Sequence, residues 1–144
     1  MSCAIDVNLL LYASDRTSAL QPRAARFLAD RVAEGDLLCL SWSTLVGYLR
    51  MATHPGIFAQ PLSPDEAMQN VEALLRLPNV RVLVEQEGFW DVYRVIAHAQ
   101  PIRGNLVPDA HLAALLRQHG VRTLYSNDRD FLKFDFLDVR NPFR

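Results

Sequence analysis

Residues 108–130 read PDAHLAALLRQHGVRTLYSNDRD and carry three aspartates in one short run. Apolar residues recur at helical spacing from Pro108 to His119, which predicts a helix that opens at Asp109. The apolar run Val121 to Tyr125 is typical of a buried strand, and Asp128 follows it. A helix that feeds directly into a buried strand indicates a parallel α/β sheet.

The rest of the chain continues this alternation. Ser2 to Ile5 predicts the first strand, with Asp6 directly behind it. Ser63, Pro64 and Glu66 form a strong helix start. The other predicted elements are a helix or turn at 8–12, helices at 22–35, from Ser43 or Thr44 to about 53, from 64 to 78 and at 88–99, strands at 37–40, 80–84 and 136–139, and a turn at 129–132.

Bulk composition is typical of one compact domain over residues 1–144. Half of the residues are hydrophobic and the net charge is −1, so no global basic field indicates nucleic acid, although a local groove would suffice to bind RNA. Cys3 and Cys39 lie in apolar runs, as two buried thiols or, alternatively, as a disulfide. No signal peptide or membrane span is apparent, which predicts a cytoplasmic protein.

The aspartates are predicted to meet at one edge of the sheet. In a right-handed β-α-β unit the helix runs antiparallel to its strands, so the helix start and the strand exits share the carboxyl edge. Asp6, Asp109 and Asp128 would converge there, with Asp130 just beyond. Each has an ordinary explanation alone, as a cap, a turn former or a helix-dipole partner. Together they indicate a site for Mg²⁺ or Mn²⁺, which prefer hard oxygen ligands.

Several short motifs stand in a fixed order along nearly the whole chain. They are Ile5-Asp6-Val7-Asn8, Gly47-Tyr48-Leu49-Arg50 followed by Thr53-His54-Pro55, Arg103-Gly104-Asn105-Leu106-Val107-Pro108-Asp109 continuing through Ala110-His111-Leu112-Ala113, and Ser126-Asn127-Asp128-Arg129-Asp130-Phe131. In this order they resemble the PIN-domain ribonucleases, specifically the VapC-type toxins of toxin–antitoxin pairs. The resemblance implies a PIN-like three-layer fold, with a central, mainly parallel sheet flanked by helices.

The resemblance also implies roles for named residues. Asp6, Asp109 and Asp128 would be metal ligands, with Asp130 an auxiliary ligand. Asn8 and Ser126 would orient carboxylates or waters. The implied reaction is endonucleolytic cleavage of RNA by a metal-activated water, and the implied partner is a small antitoxin that covers the acidic site. The resemblance leaves a homodimer open.

The sequence departs from the family pattern in the helix after the second strand. Many family members carry a Glu there, whereas Ser41 to Val46 contain no acid, and Asp36 precedes the strand. This leaves open a single ion, with Ser43 or Thr44 holding a water, and also a weakened enzyme. The predicted helices from Pro22 and from Ser63 are amphipathic and could together form a groove for an antitoxin helix.

Arginines near the predicted site are candidate RNA contacts. Arg50 and Arg103 could bind phosphates, although solvated arginines are the commoner case. Two other functions compete with the nuclease. One is a phosphotransfer domain of the haloacid-dehalogenase or receiver type, which also places an Asp after its first strand; the former requires a second Asp where Asn8 stands, and both require a late lysine at a strand end. The other is a non-catalytic PIN-like binding module.

Overall fold

The computed structural model describes residues 1–144 as alternating strands and helices. The strands are β1 (Ser2–Ile5), β2 (Leu37–Ser41), β3 (Val80–Leu83), β4 (Thr123–Tyr125) and β5 (Asp138–Arg140). The helices are α1 (Val7–Ser14), α2 (Gln21–Ala33), α3 (Trp42–Ala52), α4 (Pro64–Leu75), α5 (Phe89–His98) and α6 (Leu106–Gln118), and a 3₁₀ helix covers Arg129–Lys133. The predicted elements are therefore present, with shifted boundaries.

A five-stranded sheet in the order β3-β2-β1-β4-β5 forms the middle layer, and every pairing is parallel. Each of the two faces of the sheet packs against its own apolar core. One core packs the sheet against α1 to α4, and the other packs it against α5 and α6. The three-layer α/β prediction is confirmed. The central strands are buried on both faces, which explains why their sequences are continuous apolar runs.

Two helix starts differ from the predictions. The N-cap of α3 is Ser41, whose Oγ accepts a hydrogen bond from the Thr44 N–H at 3.0 Å, so neither Ser43 nor Thr44 is the cap. Helix α6 begins at Leu106, which places Pro108 and Asp109 inside its first turn. Proline is tolerated there because the first-turn N–H groups have no partner within the helix. By contrast, Ser63 caps α4 as predicted, accepting from the Glu66 N–H at 3.1 Å.

The two cysteines lie on opposite faces of the sheet. Cys3 pairs with Leu38 and Cys39 pairs with Ala4, and consecutive residues of a strand point to opposite faces. Both thiols are free and buried, so the disulfide alternative is excluded. No helix has the length and apolar character needed to cross a membrane.

Candidate metal centre

The fold brings the two strand-exit aspartates to neighbouring positions. β1 and β4 are adjacent and parallel, with Ile5 paired to Tyr125 at their carboxyl ends. Asp6 follows β1 directly, and Asp128 follows β4 after two further residues. The Asp6 N–H donates to the Tyr125 carbonyl at 3.0 Å, which continues the strand pairing into the site. The site is thus anchored to two adjacent, buried strands.

Ser126 connects the two aspartates. Its hydroxyl is almost fully buried and donates to Asp6 Oδ2 at 2.8 Å, while its oxygen accepts from the Asp128 N–H at 2.9 Å. The Asn8 side-chain amide also donates to Ser126 Oγ, at 3.4 Å. The other Asp6 oxygen, Oδ1, accepts from the Val7 N–H at 2.7 Å. Both oxygens of the buried Asp6 therefore have protein donors.

Three other carboxylates form a compact group. One oxygen from each of Asp109, Asp128 and Asp130 lies within 4.8 Å of the others. Asp128 Oδ1 accepts from the Asp130 N–H at 2.9 Å, which fixes the 3₁₀ turn that carries Asp130. Asp6 lies outside this group and is connected to it through Ser126. The geometry thus gives Asp130 a more central place than the sequence suggested, and Asp6 a more recessed one.

Burial, with smaller contributions from neighbouring carboxylates, raises the pKa of Asp109 and of Asp6. Burial, followed by the negative charges of Asp128, Asp6 and Asp130, raises the pKa of Asp109 to about 7, with Lys133 opposing the shift. Burial also raises the pKa of Asp6, against its hydrogen bonds from Ser126 and Val7. The Lys133 ammonium lies 3.6 Å from Asp130 Oδ1 and is a half-exposed counter-charge. These carboxylates are hard oxygen ligands that repel one another, and a divalent cation bound among them would offset that repulsion.

We expect the affinity for divalent cations to rise with pH up to about pH 7. A cation must displace the proton on Asp109, whose pKa is about 7, so affinity should increase about tenfold per pH unit below that value and level off above it. Mn²⁺ titration calorimetry at pH 5.5, 6.5 and 8 measures this slope, with circular dichroism confirming the fold at each pH. Equal affinity across this range would contradict the placement of Asp109 against the ion.

Of the remaining predicted residues, Asn8 contacts the site, whereas Ser43 and Thr44 make no hydrogen bond to it. Asn8 contacts the loop after β4 twice, since its Oδ1 also accepts from the Asn127 N–H at 3.4 Å. Ser43 is exposed and makes none of the hydrogen bonds of the site, and Thr44 is bonded to the Ser41 hydroxyl. The first turn of α3 carries no acid, so the missing Glu is not replaced from within that turn.

The structure also gives the positions of the two arginines predicted to bind phosphate and of Asp36. Arg50 is exposed in the last turn of α3, and Arg103 is exposed just before α6 begins. Neither forms an ion pair within the chain, so both guanidinium groups are available to other partners. Asp36 precedes β2 and lies 3.9 Å from the N-terminal amine, at the opposite edge from the carboxylate group, as the sequence indicated.

Sequence reasoning assigned no role to Asn127 or Lys133. Asn127 sits between two residues of the site, and its side chain bonds to Tyr12 and Asn141. Its place between Ser126 and Asp128 could have drawn attention to Asn127. Its hydrogen-bond partners could not be found from the sequence, because they are distant along the chain. Lys133 could have been found from its spacing, because it lies three residues after Asp130 in a helical turn.

Comparisons with known proteins agree on one family. The profile of the PIN domain matches residues 3–137. The chain is 44% identical over 143 residues to ribonuclease VapC48 of Mycobacterium tuberculosis, covering 99% of both chains. Among solved structures, it is similar to the M. tuberculosis toxin VapC20, described as cleaving the sarcin–ricin loop (TM-score 0.69, 19% identity, 96% and 98% coverage). It is also similar to a chain of VapBC-1 from nontypeable Haemophilus influenzae (TM-score 0.68, 19% identity, 100% of both chains).

Proposed function

Because this chain belongs to the PIN-domain family and resembles VapC ribonucleases along its whole length, we propose that it is a metal-dependent endoribonuclease and the toxin of a toxin–antitoxin pair. The observation that carries the proposal is the compact group formed by Asp109, Asp128 and Asp130 at the carboxyl edge of the sheet, backed by Asp6. We propose that residues 1–144 act as one domain on RNA in the cytoplasm.

The carboxylate group would hold Mg²⁺ or Mn²⁺. Asp109, Asp128 and Asp130 would be the direct ligands, with Asp6 a further ligand or the acceptor that fixes Ser126. When bound, such an ion supplies Lewis acidity toward a phosphodiester and lowers the pKa of a water.

The chain's own residues organise that chemistry. Ser126 holds Asp6 and the backbone of Asp128 in one arrangement, and Asn8 holds the loop between them. Lys133, Arg50 and Arg103 are the cations proposed to meet the phosphates of RNA, because the acidic group alone would repel them.

The helical layer formed by α1 to α4 carries an apolar groove that could bind an antitoxin helix. The groove has a volume of about 280 Å³ and lies between α1, α2 and α4, lined mainly by Leu10, Ala13, Leu28, Tyr48, Leu74 and Leu77. The floor is apolar, with Tyr48, Ser14 and Asn70 supplying hydroxyl and amide groups. We propose that an amphipathic antitoxin helix seats here and extends a basic side chain to the aspartates. A homodimer is compatible with this arrangement.

The structure weakens the phosphotransfer alternative. Asn8 occupies the position that a second Asp would need in a haloacid-dehalogenase-type site, and it donates to Ser126. Lys133 ends a 3₁₀ helix rather than a strand and faces Asp130. The binding-module alternative rests on the absence of an acidic residue from the first turn of α3. Only a measurement of activity distinguishes a binding module from an enzyme.

Cleavage of RNA with and without metal tests the proposed function. We expect the purified chain to cut internal phosphodiesters of total cellular RNA in Mg²⁺ or Mn²⁺, to lose that activity in EDTA, and to regain it when excess Mn²⁺ is added. Calcium serves as the control, because it takes oxygen ligands but demands a larger coordination shell. If the folded protein binds Mn²⁺ and cleaves no RNA, the protein is a binding module and the nuclease hypothesis is wrong.

A further inference from the structure

Asn127 is the one residue of the loop Ser126–Asp128 whose side chain is bonded away from the carboxylates. Its Oδ1 accepts from the Asn141 side-chain amide at 2.6 Å, and its own amide donates to the Tyr12 hydroxyl at 3.3 Å. Its backbone N–H donates to Asn8 Oδ1 at 3.4 Å. Two segments distant in sequence, α1 and the chain after β5, thus hold a residue whose neighbours on both sides belong to the metal centre.

The far end of this connection is itself anchored. Asn141 follows β5, and its Oδ1 accepts from the Phe143 N–H at 2.9 Å, which turns the chain back toward the helices. The Phe143 ring meets Tyr12 edge-on at 5.7 Å, and the Arg23 guanidinium lies 5.5 Å from the centre of that ring. The segment 141–143 is therefore held against α1 and α2.

Backbone pairing strengthens the same connection. The Ser126 N–H donates to the carbonyl of Arg140, the last residue of β5, at 3.0 Å. Asn141, the next residue, then reaches Asn127 through its side chain. Two successive residues after β4 are thus fixed by two successive residues at the end of β5, directly before Asp128.

The loop needs such support because of its charge. Asp128 lies against two other carboxylates, and like charges at this distance repel one another. Without an ion, that repulsion favours movement of Asp128, and of the loop that carries it, away from the group. A hydrogen-bonded anchor one residue away opposes this movement without touching the ion or the substrate.

We propose that Asn127, Asn141 and Tyr12 form a positioning network that holds Asp128 in a metal-ready arrangement before the ion binds. The proposal rests on the assignment of the carboxylate group as a metal centre, but not on the identity of the substrate. These residues are positioning residues, because none of their side chains contacts the carboxylates. Their chemistry predicts an effect on divalent-cation affinity first, and on RNA cleavage only through it.

The test uses Asn127→Ala and Asn141→Ala, singly and together, with Mn²⁺ titration calorimetry of the full chain at pH 8. Partners that orient metal ligands change affinity by about tenfold to a hundredfold when removed, and because this network acts through the backbone we expect the lower end, about tenfold. Since both variants break the same bond, the double variant should lose little more than either single one. In cleavage assays, the Mn²⁺ concentration for half-maximal rate should rise while the KM for RNA at saturating Mn²⁺ stays unchanged.

Asn79→Ala is the matched control. The Asn79 side chain is half-buried and donates to the Asp36 carbonyl at 2.9 Å, at the opposite edge of the sheet. It should lose comparable stability and keep wild-type Mn²⁺ affinity. Tyr12→Phe is the milder variant if the alanine variants fail to fold, because it removes one hydrogen bond and keeps the ring against Phe143.

The outcomes separate this proposal from the proposed function. Folded network variants that bind Mn²⁺ as tightly as the wild type overturn the positioning role, whatever the activity. A wild type that binds Mn²⁺ and responds to the variants but cleaves no RNA overturns the nuclease function and leaves the positioning role standing. A folded wild type without measurable Mn²⁺ binding overturns both.

Discussion

Asp109→Asn is expected to reduce RNA cleavage and divalent-cation binding sharply while making the metal-free protein more stable at pH 8. Asparagine keeps the shape of the side chain and removes its charge, so the ion loses an anionic ligand. Metal-ion charge stabilisation contributes several kcal/mol to such reactions, so the rate should fall at least about a hundredfold. Fluorescent-RNA cleavage and Mn²⁺ calorimetry measure the two losses.

The gain in stability follows from the sign of the pKa shift. The folded-state pKa of Asp109 is about 7, above its ordinary value, so the folded protein holds this proton more tightly than the unfolded chain does. The contribution of Asp109 to stability therefore falls as pH rises from about 4 to about 7. At pH 8 the charged side chain is partly buried and repelled, and asparagine relieves both. Chemical unfolding in EDTA should show this advantage at pH 8 and a smaller one at pH 5.

Two further variants make the first result specific. Asp135→Asn removes an exposed carboxylate outside the group and should change neither activity nor Mn²⁺ affinity. Asp6→Asn should lose activity without the stability gain of Asp109→Asn, because both Asp6 oxygens accept hydrogen bonds and asparagine offers only one acceptor, which offsets the relief of its buried charge. If Asp109→Asn retains wild-type Mn²⁺ affinity, the ion does not bind at this group.

The sequence sufficed for the features that depend on strong local patterns. Apolar strands followed by Asp6 and Asp128, and a helix opening near Asp109, are sufficient to bring Asp109 and Asp128 together with Asp6 behind them, since parallel sheets align their strand exits. The cap of α3 was missed because Ser41, Ser43 and Thr44 are all good capping residues, and only the end of β2 decides among them.

Other features depend on contacts between distant residues. The central place of Asp130 follows from a 3₁₀ turn that folds it back on Asp128, and a turn-forming sequence does not reveal that direction. The bond between Asn127 and Asn141 spans fourteen residues and needs the pairing of β4 with β5. The opposite faces of the cysteines likewise follow from the register of β1 on β2. A single sequence specifies none of these registers.

Expression of the wild type alone is expected to arrest bacterial growth, and co-expression with the small reading frame adjacent to its gene is expected to restore it. A toxin that cleaves cellular RNA needs a partner that covers the acidic group, and an arginine there would replace the charge of the ion and pair with two carboxylate oxygens. The partner should therefore compete with Mn²⁺, and the purified complex should show no ribonuclease activity until the partner is removed.

Two variants on opposite sides of the molecule separate toxicity from neutralisation. Asp109→Asn should be harmless and still co-purify with the partner, because the groove between α1, α2 and α4 is unchanged. Ala73→Arg fills that groove from an exposed position on α4, so it should stay toxic when the partner is present. Met68→Arg adds the same side chain at an exposed position of the same helix that lines neither this groove nor the cavity beside it, and it should be neutralised normally. If the soluble wild type neither slows growth nor cleaves RNA while a partner still co-purifies, the protein is a binding module that binds the antitoxin and has no ribonuclease activity.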